Sequence, residues 1–193
     1  MIALRSLLFS FFVLFCLTFG YAQRPLSING FTQWLTGHDG KTEQLFPVNT
    51  RDALLTEKGK VWAQVKFNVA VYGELSFPIN PNTPEGAEAL KVDLSKSRYL
   101  KVQYQSNQSV VLQLRQTGIH GGVHNQVILP ASKKMKIQKI YFSEFTGGKT
   151  PLDLSDVARF NFAFLANPVG QAFAELQVNS FKIDRYRPVL FKN

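Results

Sequence analysis

Within residues 91–186 the chain reads Tyr99-Leu100-Lys101-Val102-Gln103-Tyr104, then Val110-Val111-Leu112-Gln113-Leu114-Arg115, and later Phe160-Asn161-Phe162-Ala163-Phe164. In each stretch an apolar side chain returns at every second position. Successive Cβ atoms of an extended chain point to opposite faces, so this spacing marks strands with one buried face. The same alternation runs through 92–98, 127–132, 140–145, 152–160 and 174–184. Upstream, 61–67 and 69–77 read as two strands or one bent strand. Residues 80–86 form a loop, because Pro81, Pro84 and the residues before them cannot join a ladder. Asn29-Gly30 and 37–40 read as turns. Phe31, Trp34 and Leu35 form an N-terminal strand or short helical turn packed on the rest. No stretch carries a long helical period. The class is therefore all-β, with two antiparallel sheets packed as a β-sandwich. No repeat or composition break divides the chain, so residues 23–193 are expected to form one domain.

Alternation also assigns faces. Leu100, Val102 and Tyr104, Leu112 and Leu114, Phe160, Phe162 and Phe164, and Leu176 and Val178 point to the core. Opposite them stand Lys101, Gln103 and Gln105, Gln113 and Arg115, Asn161 and Ala163, and Glu175 and Gln177. Amides, guanidinium and carboxylate groups of this kind suit sugar hydroxyls. They equally suit an ordinary solvated outer face.

Residues 1–22 have the form of a signal peptide. Arg5 is the positive n-region, 7–19 is apolar, and Gly20-Tyr21-Ala22 places small residues where the peptidase reads, so cleavage is expected after Ala22. The apolar stretch is shorter than the ~20 residues a spanning helix needs. The single cysteine, Cys16, lies inside it, behind Phe15 rather than the small residue of a lipoprotein signal. The exported chain then has no thiol, disulfide or thiolate metal site, and its stability rests on packing. Of the 17 Phe, five lie in the expected signal peptide, and most of the remaining 12 fall in the alternating strands and supply that core. The 22 Lys and Arg against 13 Asp and Glu give a net charge of +9. Export argues against nucleic acid as the partner. The charge is either a solvated surface or a preference for anionic glycans and cell-surface polymers; its one dense cluster is Lys133, Lys134, Lys136 and Lys139.

Catalytic constellations are weak. His120-Gly121-Gly122-Val123-His124 spaces two imidazoles four apart, but the glycines forbid a helix and no Glu stands between them. The segment reads as a rim loop: a plain connection, a sugar contact or, less simply, a metal site. Asp153 precedes Leu154-Ser155 in a strand-entry turn, where short acids bond their own backbone. It therefore does not read as one of the paired carboxylates of glycoside hydrolysis, for which Asp156 and Asp184 are the other acids considered. There is no Gly-x-Ser-x-Gly, no cysteine nucleophile and no phosphate loop. The chain does not read as an enzyme.

The order of Asp93-Leu94-Ser95 ahead of Tyr99, then Leu129-Pro130-Ala131-Ser132, Ile140-Tyr141-Phe142-Ser143-Glu144-Phe145, and Leu152-Asp153-Leu154 leading to Phe160 and Phe162, resembles one family group. It is that of the jelly-roll carbohydrate-binding modules of the galactose-binding-like type, above all families 11 and 30, found beside bacterial glycanases. The resemblance covers half the chain well and 31–84 loosely. It implies a galactose-binding-domain-like jelly roll, secreted and non-catalytic, docking a polysaccharide or oligosaccharide on one sheet. Gln103, Gln113, Arg115, Asn161, Glu175 and Gln177 would form a continuous polar strip if their strands lie side by side as in the related modules. His124 and Gln126 would sit at its edge. Trp62 or Tyr72 would supply an aromatic platform for the apolar face of a sugar ring, with Tyr141 a third candidate. Phe164 stands where related glucan binders have a tyrosine, and 146–150 is short where they carry Arg and Tyr. Both positions bear on the group's preference for cellulose or mixed-linkage glucan, so the glycan stays open. No cofactor is required; relatives allow a structural calcium between the first and last strands, with Asp184 as one ligand. Expected partners are the glycan and a glycanase or the cell surface. The competing reading is a cell-surface structural or adaptor protein with the same fold and no sugar site.

Overall fold

The computed structural model describes residues 25–119, 122–166 and 173–190. The expected signal peptide, its cleavage site, Cys16 and His120 lie outside them. Two antiparallel sheets face each other. One has five strands, β1 (Leu35–His38), β5 (Tyr72–Pro78), β7 (Val110–Gln116), β8 (Asn125–Leu129) and β10 (Val157–Leu165), in the order β1-β5-β10-β7-β8. The other has β2 (Glu43–Phe46), β4 (Lys60–Asn68), β6 (Tyr99–Ser106), β9 (Ser132–Tyr141) and β11 (Ala174–Ile183), in the order β2-β4-β11-β6-β9, with β3 (Leu54–Glu57) also on β4. The all-β sandwich expected from the alternation is the architecture observed.

The core is the set of rows that alternation selected. Phe160, Phe162 and Phe164 of β10, Leu112 and Leu114 of β7, Leu100, Val102 and Tyr104 of β6, and Leu176 and Val178 of β11 are all buried. Aromatic rings knit the two sheets together. Phe77 packs on Trp34 at 4.2 Å and on Phe181 at 5.0 Å between centroids, and Phe181 packs on Phe160 at 4.8 Å. Trp34 satisfies its indole N–H on the Phe31 carbonyl at 3.0 Å, so it can be buried without stranding a donor. Buried Tyr104 likewise donates to the Pro130 carbonyl at 2.8 Å, and burial pushes its phenol up to about 12.

Several boundaries differ from the sequence reading. The 61–77 region is two strands in different sheets, because the chain crosses the sandwich at 69–71. Thr42 Oγ1 accepts the Ala70 amide at 3.0 Å and Asp39 Oδ1 accepts the Tyr72 amide at 3.1 Å, which holds that crossing. The 127–132 stretch breaks after Leu129. The lysine cluster then forms β9, a lysine-rich edge strand that its composition disguised. In 140–145 the strand ends at Tyr141 and a 3₁₀ turn, Phe142–Glu144, follows, turning Phe142 and Phe145 into the core. The 92–98 stretch contributes one bridge, Val92 to Val157, rather than a strand. Asp153 behaves as read. Its Oδ1 accepts the Ser155 hydroxyl at 2.7 Å and amide at 2.9 Å, which hold its carboxyl below the usual range.

Candidate functional site

The side chains of β5, β10, β7 and β8 that point away from the core share the outer face of the five-stranded sheet. Register aligns them in cross-strand rows. Ser76, Asn161, Gln113 and Gln126 form one row; Glu74, Ala163, Val111 and Ile128 the next. Arg159 pairs with Arg115 at one end, and Leu165 with Tyr72 at the other. The small residues lie in the middle. Asn161 is 2% exposed and Ala163 0%, although both point away from the core, because the taller side chains around them close over the sheet.

Polar groups on this face are poorly satisfied. The Gln113 amide reaches Gln126 Oε1 only at 3.4 Å, and Asn161 Oδ1 is buried with no hydrogen-bond partner among the described residues. Arg159 donates to Ser76 Oγ at 3.2 Å, and Arg115 reaches the Ile119 carbonyl at 3.5 Å. The Tyr72 hydroxyl donates to the Glu74 carboxylate. Burial and that carboxylate drive the Tyr72 phenol well above its ordinary range. His124, which precedes β8, is held below its ordinary value by burial and then by the Arg115 guanidinium.

The outer face of the six-stranded sheet is built differently. There a group of polar side chains on β4 and β11 bond one another. Trp62 donates to Gln64 at 3.2 Å, Gln64 to Glu175 at 3.0 Å, and Gln177 to Asn179 at 2.8 Å. Lys182, Lys101 and Lys139 form a row across β11, β6 and β9. Lys139 Nζ lies 4.1 Å from the Tyr99 ring centroid and 4.6 Å from that of Tyr141.

The expected six-residue strip is therefore divided. Gln113, Arg115 and Asn161 lie together on the five-stranded sheet, with Gln126 and His124 at its edge and Tyr72 at its far end. Gln103, Glu175, Gln177 and Trp62 lie on the opposite side of the molecule, because β6, β11 and β4 belong to the other sheet. Tyr141 is on that second face too. Glu74, Ser76 and Arg159 complete the first face and were not singled out from the sequence. The signal was present: Arg159 shares the parity of Asn161, and Glu74 and Ser76 share that of Tyr72. Asp184, named as one ligand of a structural calcium, meets cations of the chain instead. Asp184 Oδ2 takes the Arg98 amide at 3.3 Å and guanidinium at 3.4 Å, with Arg185 at 4.0 Å. No group of three or more His, Cys, Asp or Glu side chains among the described residues is placed to share a metal.

No family model matches the chain, and no curated protein sequence matches it significantly. Solved structures do. A family 11 carbohydrate-binding module from Clostridium thermocellum, in complex with a β-1,3-1,4-mixed-linked tetrasaccharide, is similar with a TM-score of 0.58 and 15% identity, over 83% of this chain and 93% of that one. The family 30 module of a cellulosomal cellulase from the same organism is similar with a TM-score of 0.53 and 14% identity, over 83% of this chain and 93% of that one. The chain thus has the jelly-roll sandwich fold of the family 11 and family 30 modules, the fold its strand order led us to expect. At these identities the likeness carries the fold alone.

Proposed function

We propose that this protein is an exported, non-catalytic carbohydrate-binding module that docks a glycan chain across the outer face of the five-stranded sheet. The observation that carries the reading is the contrast between the two outer faces. On the six-stranded side Trp62, Gln64 and Glu175 bond in a chain and Gln177 bonds Asn179, as on a solvated surface. On the five-stranded side Asn161 Oδ1 is buried without a partner among the described residues and Gln113 holds one long bond to Gln126, which leaves capacity for a ligand's hydroxyls. Tyr72, Val111, Ile128 and Leu165 supply apolar surface for the CH faces of sugar rings. Each amide–hydroxyl bond replaces bonds to water, so its net gain is about 1 kcal/mol and affinity is micromolar at best. A glycanase or the cell surface is the setting such a module serves. Binding should be largely insensitive to chelators unless calcium supports the fold.

Titration calorimetry against soluble β-glucans, xylans and acidic polysaccharides tests this. Gln113→Ala combined with Arg115→Ala should abolish binding while leaving the melting temperature nearly unchanged. If no glycan binds, or the double variant binds as well as the parent, the sugar site is not on this face. The structural or adaptor reading then replaces it.

A further inference from the structure

Arg115 and Arg159 stand directly opposite each other on β7 and β10, both on the outer face. Like charges in that position repel. Neither guanidinium is ion-paired among the described residues. Each has a single hydrogen bond there, to Ile119 and Ser76, out of five N–H donors. Arg159 is half-buried; burial followed by the Arg115 charge works against its ionisation, and the Glu74 carboxylate offsets them only in part. The carboxylates nearby are committed elsewhere: Glu74 takes the Tyr72 hydroxyl, and Glu88 Oε1 takes the Gly118 amide at 3.1 Å. A cavity of about 230 Å³ opens against the two arginines, lined also by Ala87, Glu88, Ala89, Gln116 and Ala158. That is below the roughly 300 Å³ at which drug-sized sites begin, so it suits a substituent rather than a whole chain. The rest of the chain would lie along the row from Asn161 to Gln126.

We propose that Arg115 and Arg159 form a subsite for an anionic substituent of the glycan, a uronate carboxylate or a sulfate ester. This rests on the glycan-binding reading above and narrows its ligand to acidic polysaccharides. A planar, two-oxygen anion accepts parallel bonds from a guanidinium fork, and its charge relieves the repulsion between the two arginines. A neutral glucan offers neither.

The test compares charged polymers with neutral forms of the same backbone. Polygalacturonate, alginate and glucuronoxylan are each titrated beside their carboxyl-reduced products, and a sulfated galactan beside its desulfated product. The parent protein should bind at least one charged polymer about tenfold more tightly than its neutral form, and added salt should erode that margin. The carboxylate and sulfate arms identify the source of the charge. Arg159→Gln should bring the ratio of charged to neutral affinity close to one, and Arg115→Gln should do the same. Arg159→Lys, which keeps charge but loses the fork, should retain part of the ratio. The melting temperature of Arg159→Gln should not fall, since the substitution removes an unpaired charge. If charged and neutral forms bind alike, or the ratio survives in both glutamine variants, the subsite is overturned and the glycan reading stands. If no polymer of either kind binds, the glycan reading itself fails.

Discussion

Asn161 and Phe162 are neighbours in β10, both buried, one on each face of the sheet. Their substitutions should nevertheless have opposite consequences. Phe162 stacks on Trp34 at 6.4 Å and meets Phe181 edge-on at 6.1 Å in the closed core, so Phe162→Ala should cost on the order of 3–5 kcal/mol in denaturant unfolding. Asn161 carries an oxygen with no partner, and an unsatisfied buried group is itself a penalty. Asn161→Ala should leave stability unchanged or raised, and should weaken glycan binding. His124 makes a separate prediction. Its folded-state value lies below the ordinary 6.5, so the unfolded chain takes up the proton first as pH falls. The stability it contributes is complete above that ordinary value and is lost as pH drops toward the folded one. Melting temperatures read between about pH 7.5 and 5.5 should fall more for the parent than for His124→Gln. Equal slopes would remove His124 from that account.

At the scale of elements, the crossing from β4 to β5 decides the architecture. It sends Tyr72, Glu74 and Ser76 to the face of Asn161, whereas an uninterrupted strand would have kept them beside Trp62. Gly73 sits just after the crossing, where an added Cβ would lie 3.0 Å from the Phe67 ring. Phe67 is buried between the sheets and cannot swing away, so Gly73→Ala should cost about 1–3 kcal/mol through overpacking. Calorimetric melting is the check, and an unperturbed variant would show that β5 can slide at this point. The same elements explain which parts of the fold were legible. β6, β7, β10 and β11 are long, and each shows its buried row by period-two alternation. β1, β2 and β3 have four residues each, and two of them merely extend the edge formed by β4. Their apolar content is too sparse for a period to show. β9 was hidden for another reason: its lysines are what an edge strand uses to stay unpaired, and they read as a charge cluster instead.

Across the whole molecule the two outer faces divide the charge by kind. Lysines with tyrosine rings beneath them occupy part of the six-stranded side, and paired arginines occupy one end of the five-stranded side. Export is an expectation from residues 1–22, and mass spectrometry of secreted protein should find Gln23 at its N-terminus; an N-terminus at Met1 would refute the signal-peptide reading. What the sequence determined by itself was parity: that Gln113, Asn161, Gln103 and Gln177 all turn away from the core. Parity is local, because Cβ direction alternates along any extended backbone whatever its neighbours are. Which sheet each strand joins is not local. It depends on contacts between strands far apart in the chain, such as β5 with β10 and β4 with β11, and no window of sequence contains both partners. Only the tertiary structure could therefore put Gln113 and Asn161 together with Arg159 and send Gln103 and Gln177 to the opposite face.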